Sequence, residues 1–466
     1  MSSHTIFVAS IAFWILVSLT VLLPARWSVI AFLLLVQFDL SAAGFYSSTA
    51  SLGIENAIKT VVVPSLLLVR MRPIRLPAPR FSKLCHCWLF FCAYAAVAAL
   101  WSPYTLSAVK MLGYLYGYCI LFLVFTTAWR RRWISAGGLT FVVWASLFFA
   151  YVQTYLLGND YGEPEYGRRF TSFTGAQSFA PFLLVLIALL VFRERRNLSI
   201  LLAVGAASIG IVLTGSRSTF LGIAWVLIAG GIIFAIRSGK KINLRLIVRR
   251  IGFGVAGIAC VGLLVIEVLP KDRLNEMLGA VVSQNATLED VGTFAWRYSL
   301  YGKTLDELAS RSLPRLMIGS GTSSGASLVL ENNIFQQEDV DPNRALHDEF
   351  LRSAYEWGLP GLVFLTFFLV EVFTICNEMI VRYHSWQAGA FAAILVPLMV
   401  SLTVENILAE SSAPVGVGYC LVLAGMAATY APLGPRPLQA LKTNRVVDVQ
   451  PQAPAKPPTE IAGYNA

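Results

Sequence analysis

The chain has 466 residues, of which 56% are hydrophobic and only 13% are charged. Soluble domains carry about 25% charged residues, so this composition excludes an ordinary soluble protein. A formal net charge of +10 would favour nucleic-acid binding in a soluble protein, but here the basic residues cluster between apolar runs. Such clusters are typical of cytoplasmic loops between membrane spans, so we expect contact with the lipid bilayer and no nucleic-acid partner.

Apolar runs recur from one end of the chain to the other, and each is long enough to cross about 30 Å of hydrocarbon. The runs predicted as spans are 6–23, 28–44, 54–70, 84–101, 106–128, 134–157, 175–192, 198–214, 219–236, 251–269, 358–376, 388–405 and 414–431. They predict an all-α polytopic membrane protein with about 12–14 transmembrane helices, because a miscount by one remains open.

Basic clusters orient the predicted spans. The clusters are Arg70–Lys83, Arg130–Arg132, Arg193–Arg196 and Arg237–Arg250, with Arg382 as a weak last member. Placing them in the cytoplasm puts the N-terminus outside and the C-terminus inside. It also leaves one large external loop, whose helical stretches Lys271–Leu278 and Phe294–Leu308 and turn-rich Ile318–Gly325 predict a small helical cap.

Four regions follow from this pattern. Residues 1–269 form an N-terminal transmembrane bundle, and residues 270–346 form the external loop or cap. Residues 347–431 form the C-terminal transmembrane helices, and residues 432–466 form a cytoplasmic tail. The tail is rich in proline and polar residues, which predicts disorder.

Ionisable groups concentrate just before one span, in the segment from Arg344 to Gly361. Of the four histidines, His347 is the one predicted to be external and beside charged partners. A side chain with a pKa near 6.5 suits general acid–base chemistry. Arg344, Asp348 and Glu349 are possible supporting groups. The alternative is an interfacial histidine whose neighbours satisfy its hydrogen bonds.

Four arginines share the predicted external side with that histidine, namely Arg168, Arg169, Arg217 and Arg297. Each has a simpler alternative on its own, such as a surface position, a membrane-interface anchor or a pair with a nearby acid. Guanidinium groups bind phosphate oxygens bidentately and stay charged at any relevant pH. Together, the arginines favour a site for a lipid-linked diphosphate.

Neither a metal nor a cofactor is expected. The seven cysteines lie in or beside apolar runs, and Cys85-His86-Cys87 lacks the second ligand pair of a zinc site. No Walker motif or nucleotide fingerprint is present in the sequence. A donor that carries its own good leaving group would make a metal and a nucleotide unnecessary.

The ordered motifs resemble the superfamily of O-antigen ligases and Wzy-type polysaccharide polymerases, including bacterial exopolysaccharide polymerases. The matching pieces are Leu213-Thr-Gly-Ser-Arg217, Trp296-Arg297, Leu316-Met-Ile-Gly319-Ser-Gly321, His347-Asp-Glu-Phe-Leu351 and Glu356-Trp-Gly358-Leu-Pro-Gly361. The resemblance implies a metal-independent, multi-pass glycosyltransferase of the bacterial inner membrane. Such an enzyme takes a glycan from undecaprenyl diphosphate at the periplasmic face and joins it to an acceptor sugar hydroxyl.

The resemblance also implies roles for individual residues. Arg217 and Arg297 would bind the diphosphate and stabilise its charge as it leaves, while Arg168 and Arg169 would help to hold the donor. His347 would orient or deprotonate the attacking hydroxyl, and the reaction would invert the anomeric centre. The family commonly has His-Asn where this chain has His347-Asp348.

Three functions stay open at this point. The first is a polymerase of exopolysaccharide or O-antigen repeat units, working with a flippase and a chain-length regulator. The second is an O-antigen ligase that transfers the glycan to lipid A-core. The third is a non-catalytic transporter of lipid-linked oligosaccharides. Transporters place charged or broken-helix features near mid-membrane, whereas the ionisable groups here gather at one external edge, which favours an enzyme.

Overall fold

A computed structural model describes residues 3–38, 52–74, 79–157, 170–174, 176–192, 197–216, 293–331, 346, 348–383, 386–404 and 413–430, and scattered helical positions between 219 and 230. Every regular element in these ranges is a helix, which confirms the all-α prediction. The predicted span 251–269, the stretch Lys271–Leu278 and the tail 432–466 lie outside the described residues.

The helices described before residue 217 are α1 to α9, together with two π-helices and one 3₁₀ turn. They are α1 (Ser3–Leu22), α2 (Ala25–Leu35), α3 (Leu52–Ala57), a π-helix (Ile58–Val62), α4 (Val63–Arg70), α5 (Pro79–Ala98) with a 3₁₀ turn (Ala99–Trp101), α6 (Thr105–Arg130), α7 (Ala136–Tyr151) with a π-helix (Val152–Leu156), α8 (Ala176–Val191) and α9 (Leu198–Thr214).

In the described part of the chain after residue 292 there are six further helices. They are α10 (Thr293–Ser310), α11 (Leu313–Ile318), α12 (Gly325–Glu331), α13 (Glu349–Tyr383), α14 (Trp386–Val404) and α15 (Pro414–Thr429). Helix α10 confirms the helix predicted at Phe294–Leu308.

Long apolar helices establish a multi-pass membrane protein. Within the described residues, four are long and apolar enough to cross a bilayer, namely Phe81–Trp101, Thr105–Arg130, Ala136–Leu156 and Glu349–Val381. Shorter apolar helices accompany them, among them Ser178–Val191, Leu198–Thr214 and Pro414–Thr429.

The span predicted at 358–376 begins earlier than expected. Helix α13 starts at Glu349, and its path breaks at Gly358, where φ is 65° and ψ is −161°. The sequence Gly358-Leu-Pro-Gly361 therefore marks a kink inside a longer element. The nine residues before the kink form a separate helical arm that carries ionisable side chains.

Helix α15 lies at the centre of the bundle and packs against α6, α8 and α14. Val417, Leu421 and Ala424 on α15 are fully buried. The indole nitrogen of Trp129 on α6 donates to the Leu421 carbonyl at 2.9 Å. Small residues along α15 let the neighbouring helices approach closely, which is the usual basis of helix packing inside a membrane.

A buried ion pair lies in the N-terminal bundle. Lys59 Nζ is 2.9 Å from Glu55 Oε1 and donates to the Phe38 carbonyl at 2.8 Å. Lys59 is only 1% exposed and Glu55 only 6%. Charges within a bundle persist when they are paired, and this pair joins the end of α2 to the π-helix that follows α3.

Candidate active site

Asp348 caps the N-terminus of α13. Its Oδ1 accepts hydrogen bonds from the backbone N–H groups of Phe350 and Leu351, both at 2.8 Å. Aspartate and asparagine are equally favoured at this position because either side chain satisfies the free N–H groups of the first turn. Burial raises the pKa of Asp348, and the two N–H bonds oppose that rise.

Three charged side chains are buried together on the first two turns of α13. Arg352 Nε lies 3.1 Å from Glu356 Oε1, and Arg352 Nη1 lies 3.8 Å from Glu349 Oε2. The arginine is 2% exposed and both glutamates are 0% exposed. Removing one partner of a buried pair leaves an uncompensated charge, so the three groups depend strongly on one another. We call them the acidic–arginine node.

The node holds the turn between α11 and α12. Glu356 Oε2 accepts the backbone N–H of Ser323 at 2.8 Å, and Glu356 Oε1 accepts that of Gly325 at 3.3 Å. The main chain adds two bonds, from Ser320 N to the Tyr355 carbonyl and from Gly321 N to the Glu356 carbonyl, both at 2.9 Å. A single carboxylate therefore fixes both the arm of α13 and the start of α12.

Two glycines allow the turn to lie directly on the kink of α13. Gly319 has φ +73° and Gly358 has φ +65°, a region that side chains other than glycine rarely adopt. A Cβ atom at Gly319 would overlap the Glu356 carbonyl, and one at Gly358 would overlap the Met317 carbonyl. The two sequence motifs that contain these glycines are thus two halves of one backbone contact.

Helix α5 completes this contact. Trp357 Nε1 donates to Thr322 Oγ1 at 2.9 Å, and Thr322 Oγ1 donates to the Ala95 carbonyl at 2.6 Å. The Tyr94 hydroxyl reaches the carbonyls of Ile318 and Trp357 at 3.3 and 3.2 Å. The turn is therefore held between α5 and α13.

A small apolar cluster brings the helix that carries Arg297 to the segment that contains His347. Leu300, Leu328, Leu346 and Tyr355 are buried against one another. Leu300 lies one turn after Arg297 on α10, and Leu346 directly precedes His347. Segments about 50 residues apart in sequence therefore meet beside the first turn of α13.

A second contact joins the neighbourhoods of Arg169 and Arg217. The backbone N–H of Phe170 donates to the Leu213 carbonyl at 3.3 Å, at the end of α9. Gly215 then ends α9 in the left-handed conformation, and the hydroxyls of Ser216 and Thr219 are 2.9 Å apart. Helix α9 therefore ends at the glycine of the Thr-Gly-Ser sequence, where a turn is predicted.

The predicted site residues are described to different degrees. Arg168, Arg169, Arg217, Arg344 and His347 lie outside the described residues. Arg297 lies on α10, but its side chain is not described. Asp348 and Glu349 are fully described, the first as a helix cap and the second as a member of the node. The roles predicted for all of these residues in the reaction stay predictions.

Sequence reasoning gave no role to Arg352 or Glu356, although Glu356 begins one of the matching motifs. The signal for them was their spacing, because Glu349, Arg352 and Glu356 follow one another at three and four residues and so share one helix face. That spacing is equally common on solvated helices. Burial of the face became evident only from the contact with the turn 319–325.

A model of the O-antigen ligase family (Wzy_C) matches residues 201–366. The matched region includes Arg217, Arg297, His347 and both halves of the glycine contact. It confirms the resemblance to the O-antigen ligase and Wzy-type superfamily. No curated protein matches the chain significantly.

Proposed function

We propose that this chain, whose residues 201–366 match the O-antigen ligase family, polymerises undecaprenyl-diphosphate-linked oligosaccharide repeat units. The product would be an exopolysaccharide or O-antigen, made at the periplasmic face of the inner membrane. The observation that carries this proposal is the apolar cluster that joins α10, one turn after Arg297, to Leu346 beside His347. It supports the proposal that Arg297, as a phosphate-binding residue, and His347, as an acid–base residue, act near the same end of α13.

The proposed reaction is one displacement. The acceptor hydroxyl oxygen forms a bond to the anomeric carbon as the bond from that carbon to the diphosphate oxygen breaks. The diphosphate leaves with the electron pair, and His347 takes the hydroxyl proton. Arg217 and Arg297 stabilise the negative charge that builds on the leaving group. A single displacement inverts the anomeric configuration and needs neither a covalent intermediate nor a metal.

The acidic–arginine node supports this chemistry by holding the start of α13 in place. Asp348 fixes the start of α13 directly after His347, and the buried pair of Arg352 with Glu356 holds that start against the turn 319–325. A fixed helix terminus limits the movement of the residue that precedes it. Misplacement of about 1 Å is enough to reduce catalysis about 100-fold.

A second candidate function is ligation of the finished glycan to lipid A-core. The matched family is described as O-antigen ligase, and ligases share the donor and its chemistry with polymerases. The acceptor alone distinguishes the two reactions. A strain that lacks the protein should accumulate single lipid-linked repeats if polymerisation is lost, and long lipid-linked chains if ligation is lost.

The proposal is tested by complementing the deletion strain with His347→Ala, Arg217→Ala or Arg297→Ala and measuring polysaccharide. Each variant should be inserted at the normal level and make no polymer. Arg315→Ala, at an exposed arginine of the same loop, and His86→Ala, at an exposed histidine of α5, are the matched controls and should make polymer normally. Wild-type polymer from all three site variants would overturn the proposal.

A further inference from the structure

An apolar cavity of about 370 Å³ lies where α5, α6, α13, α14 and α15 meet. Its walls include Trp88, Phe122, Phe368, Leu369 and Phe391. The proposed reaction uses none of these residues. Three of these helices, α5, α6 and α13, are long and apolar enough to cross the membrane, and α15 is a shorter apolar helix. Its size falls within the range of about 300–1,000 Å³ that is typical of small-molecule sites.

Water is a poor occupant of this space. A buried water needs two to four polar partners, and cavities lined by leucine and phenylalanine stay dry. Leaving the space empty would also be unfavourable, because the lining side chains would lose their packing contacts. The surrounding solvent for this part of the protein is lipid hydrocarbon. A flexible hydrocarbon chain therefore suits the cavity best.

The length of the cavity matches one leaflet. On α14 the lining runs from Phe391 to Leu402, which are eleven residues apart and therefore about 16 Å along the helix. The hydrocarbon core of a bilayer is about 30 Å thick, so one leaflet contributes about 15 Å. The cavity could thus accommodate much of one acyl chain.

The polar edge of the cavity lies on the first turns of α5. Ser82 and His86 line it, and Nδ1 of His86 donates to the Ser82 carbonyl at 2.6 Å. Lys83 lies between them and is exposed. It belongs to the basic cluster Arg70–Lys83 that the sequence predicts to be cytoplasmic. Basic side chains at that boundary attract anionic head groups of the cytoplasmic leaflet.

This edge lies far from the candidate active site. Ala95 on α5 accepts a hydrogen bond from Thr322 of the turn, and thirteen residues, or about 20 Å of helix, separate it from Ser82. Packed aromatic rings fill the space between. The ring centroids of Trp357 and Phe91 are 4.9 Å apart, those of Phe91 and Trp88 are 5.6 Å apart, and those of Trp88 and Phe368 are 5.0 Å apart. The head group of an occupant would thus lie at the opposite end of α5 from the node.

We propose that the cavity binds one anionic phospholipid of the cytoplasmic leaflet, with an acyl chain between α5, α13 and α14 and the phosphate beside Lys83 and His86. The acyl chain completes the packing beneath the aromatic rings that support Trp357. The proposal does not depend on the reaction that the protein catalyses.

The test uses full-length protein in nanodiscs of phosphatidylethanolamine and phosphatidylglycerol at a ratio of about 3:1, followed by native mass spectrometry after release. Wild-type protein should retain one phosphatidylglycerol. Leu369→Trp, which fills the cavity, should lower retention at least about tenfold. Val370→Trp is the matched control, because Val370 is 56% exposed on the same helix, and it should retain the lipid. Lys83→Glu should keep a lipid but lose the preference for phosphatidylglycerol.

Three outcomes would overturn the proposal. They are no retained phospholipid in the wild type, equal retention by Leu369→Trp, and a retained polyprenyl phosphate in place of a phospholipid. If Leu369→Trp does not fold, phosphatidylglycerol with a mid-chain diazirine replaces it as the probe on wild-type protein. Crosslinks should then map to 365–372 and 416–423, and labelling confined to outward-facing positions would reject the site.

Discussion

Replacing Glu356 with alanine tests the acidic–arginine node most severely. The carboxylate is 0% exposed and accepts hydrogen bonds from Arg352 and from the backbone N–H groups of Ser323 and Gly325. Without it, Arg352 retains only the 3.8 Å contact with Glu349 among its described acidic partners. The two N–H groups lose their acceptor in the same step.

The expected loss of stability is large. Breaking a buried ion pair by removing one partner costs about 3–5 kcal/mol, and each buried donor left unpaired costs about 1–3 kcal/mol. These contributions overlap, so we expect a total of about 5 kcal/mol. Glu356→Gln keeps one acceptor oxygen and should lose about half as much. The double variant Arg352→Met with Glu356→Gln removes both charges and should recover part of the loss.

Two measurements follow this change on the purified protein. Thermal unfolding in detergent reports global stability, and hydrogen exchange of residues 319–331 reports release of the turn. Glu307→Ala is the matched control, since that carboxylate is 44% exposed and lies 3.6 Å from Arg311. Because this carboxylate is solvated and Arg311 also donates to the Tyr355 carbonyl at 3.0 Å, its removal should cost only about 0.2–1 kcal/mol. Wild-type unfolding and wild-type protection of the turn in Glu356→Ala would refute the reasoning.

Three further substitutions address other contacts. Gly319→Ala should destabilise the protein by more than about 2 kcal/mol, because the strain of a positive φ combines with overlap between the new Cβ and the backbone. Gly302→Ala is the control, because a Cβ there meets open space, and thermal unfolding should show no loss of stability. Asp348→Ala should lose about 1 kcal/mol and Asp348→Asn almost nothing. Burial raises the folded-state pKa of Asp348 above its unfolded-state pKa. The contribution of Asp348 to stability is therefore fully present below the unfolded-state pKa and is lost as pH rises through the folded-state pKa. Asp348→Asn should lack this pH dependence of stability in thermal unfolding scans at acidic pH. Lys59→Met should cost about 3–5 kcal/mol by removing the cationic partner of the buried Glu55, and adding Glu55→Gln should restore most of the folded yield; equal yields of the single and double variants would contradict the pairing.

Much of the fold could be predicted because hydropathy is a local signal. Runs of apolar residues located α5, α6, α7 and α13, and the helical pattern of 294–308 located α10. The start of α13 was placed nine residues late because its first turns are charged. Those charges are buried by the turn 319–325, which is distant in sequence, so no local pattern reveals their burial.

The candidate site was predicted in part for the same reason. The motifs around Gly319 and Gly358 were found as separate pieces, but their backbone contact depends on positive φ at both positions. Residue type does not report which glycine needs that conformation. Asp348 stands where the family that this chain resembles commonly has asparagine, and its role as a helix cap explains why either residue suits the position.

The most direct test of the proposed function is glycan transfer by the purified protein, with lipid-linked repeat units extracted from the deletion strain as donor. We expect wild-type protein to lengthen the glycan and release undecaprenyl diphosphate, equally well with and without a metal chelator. His347→Ala, folded and reconstituted at the same level, should do neither. Transfer by His347→Ala at the wild-type rate, or no transfer by the wild type, would contradict the account.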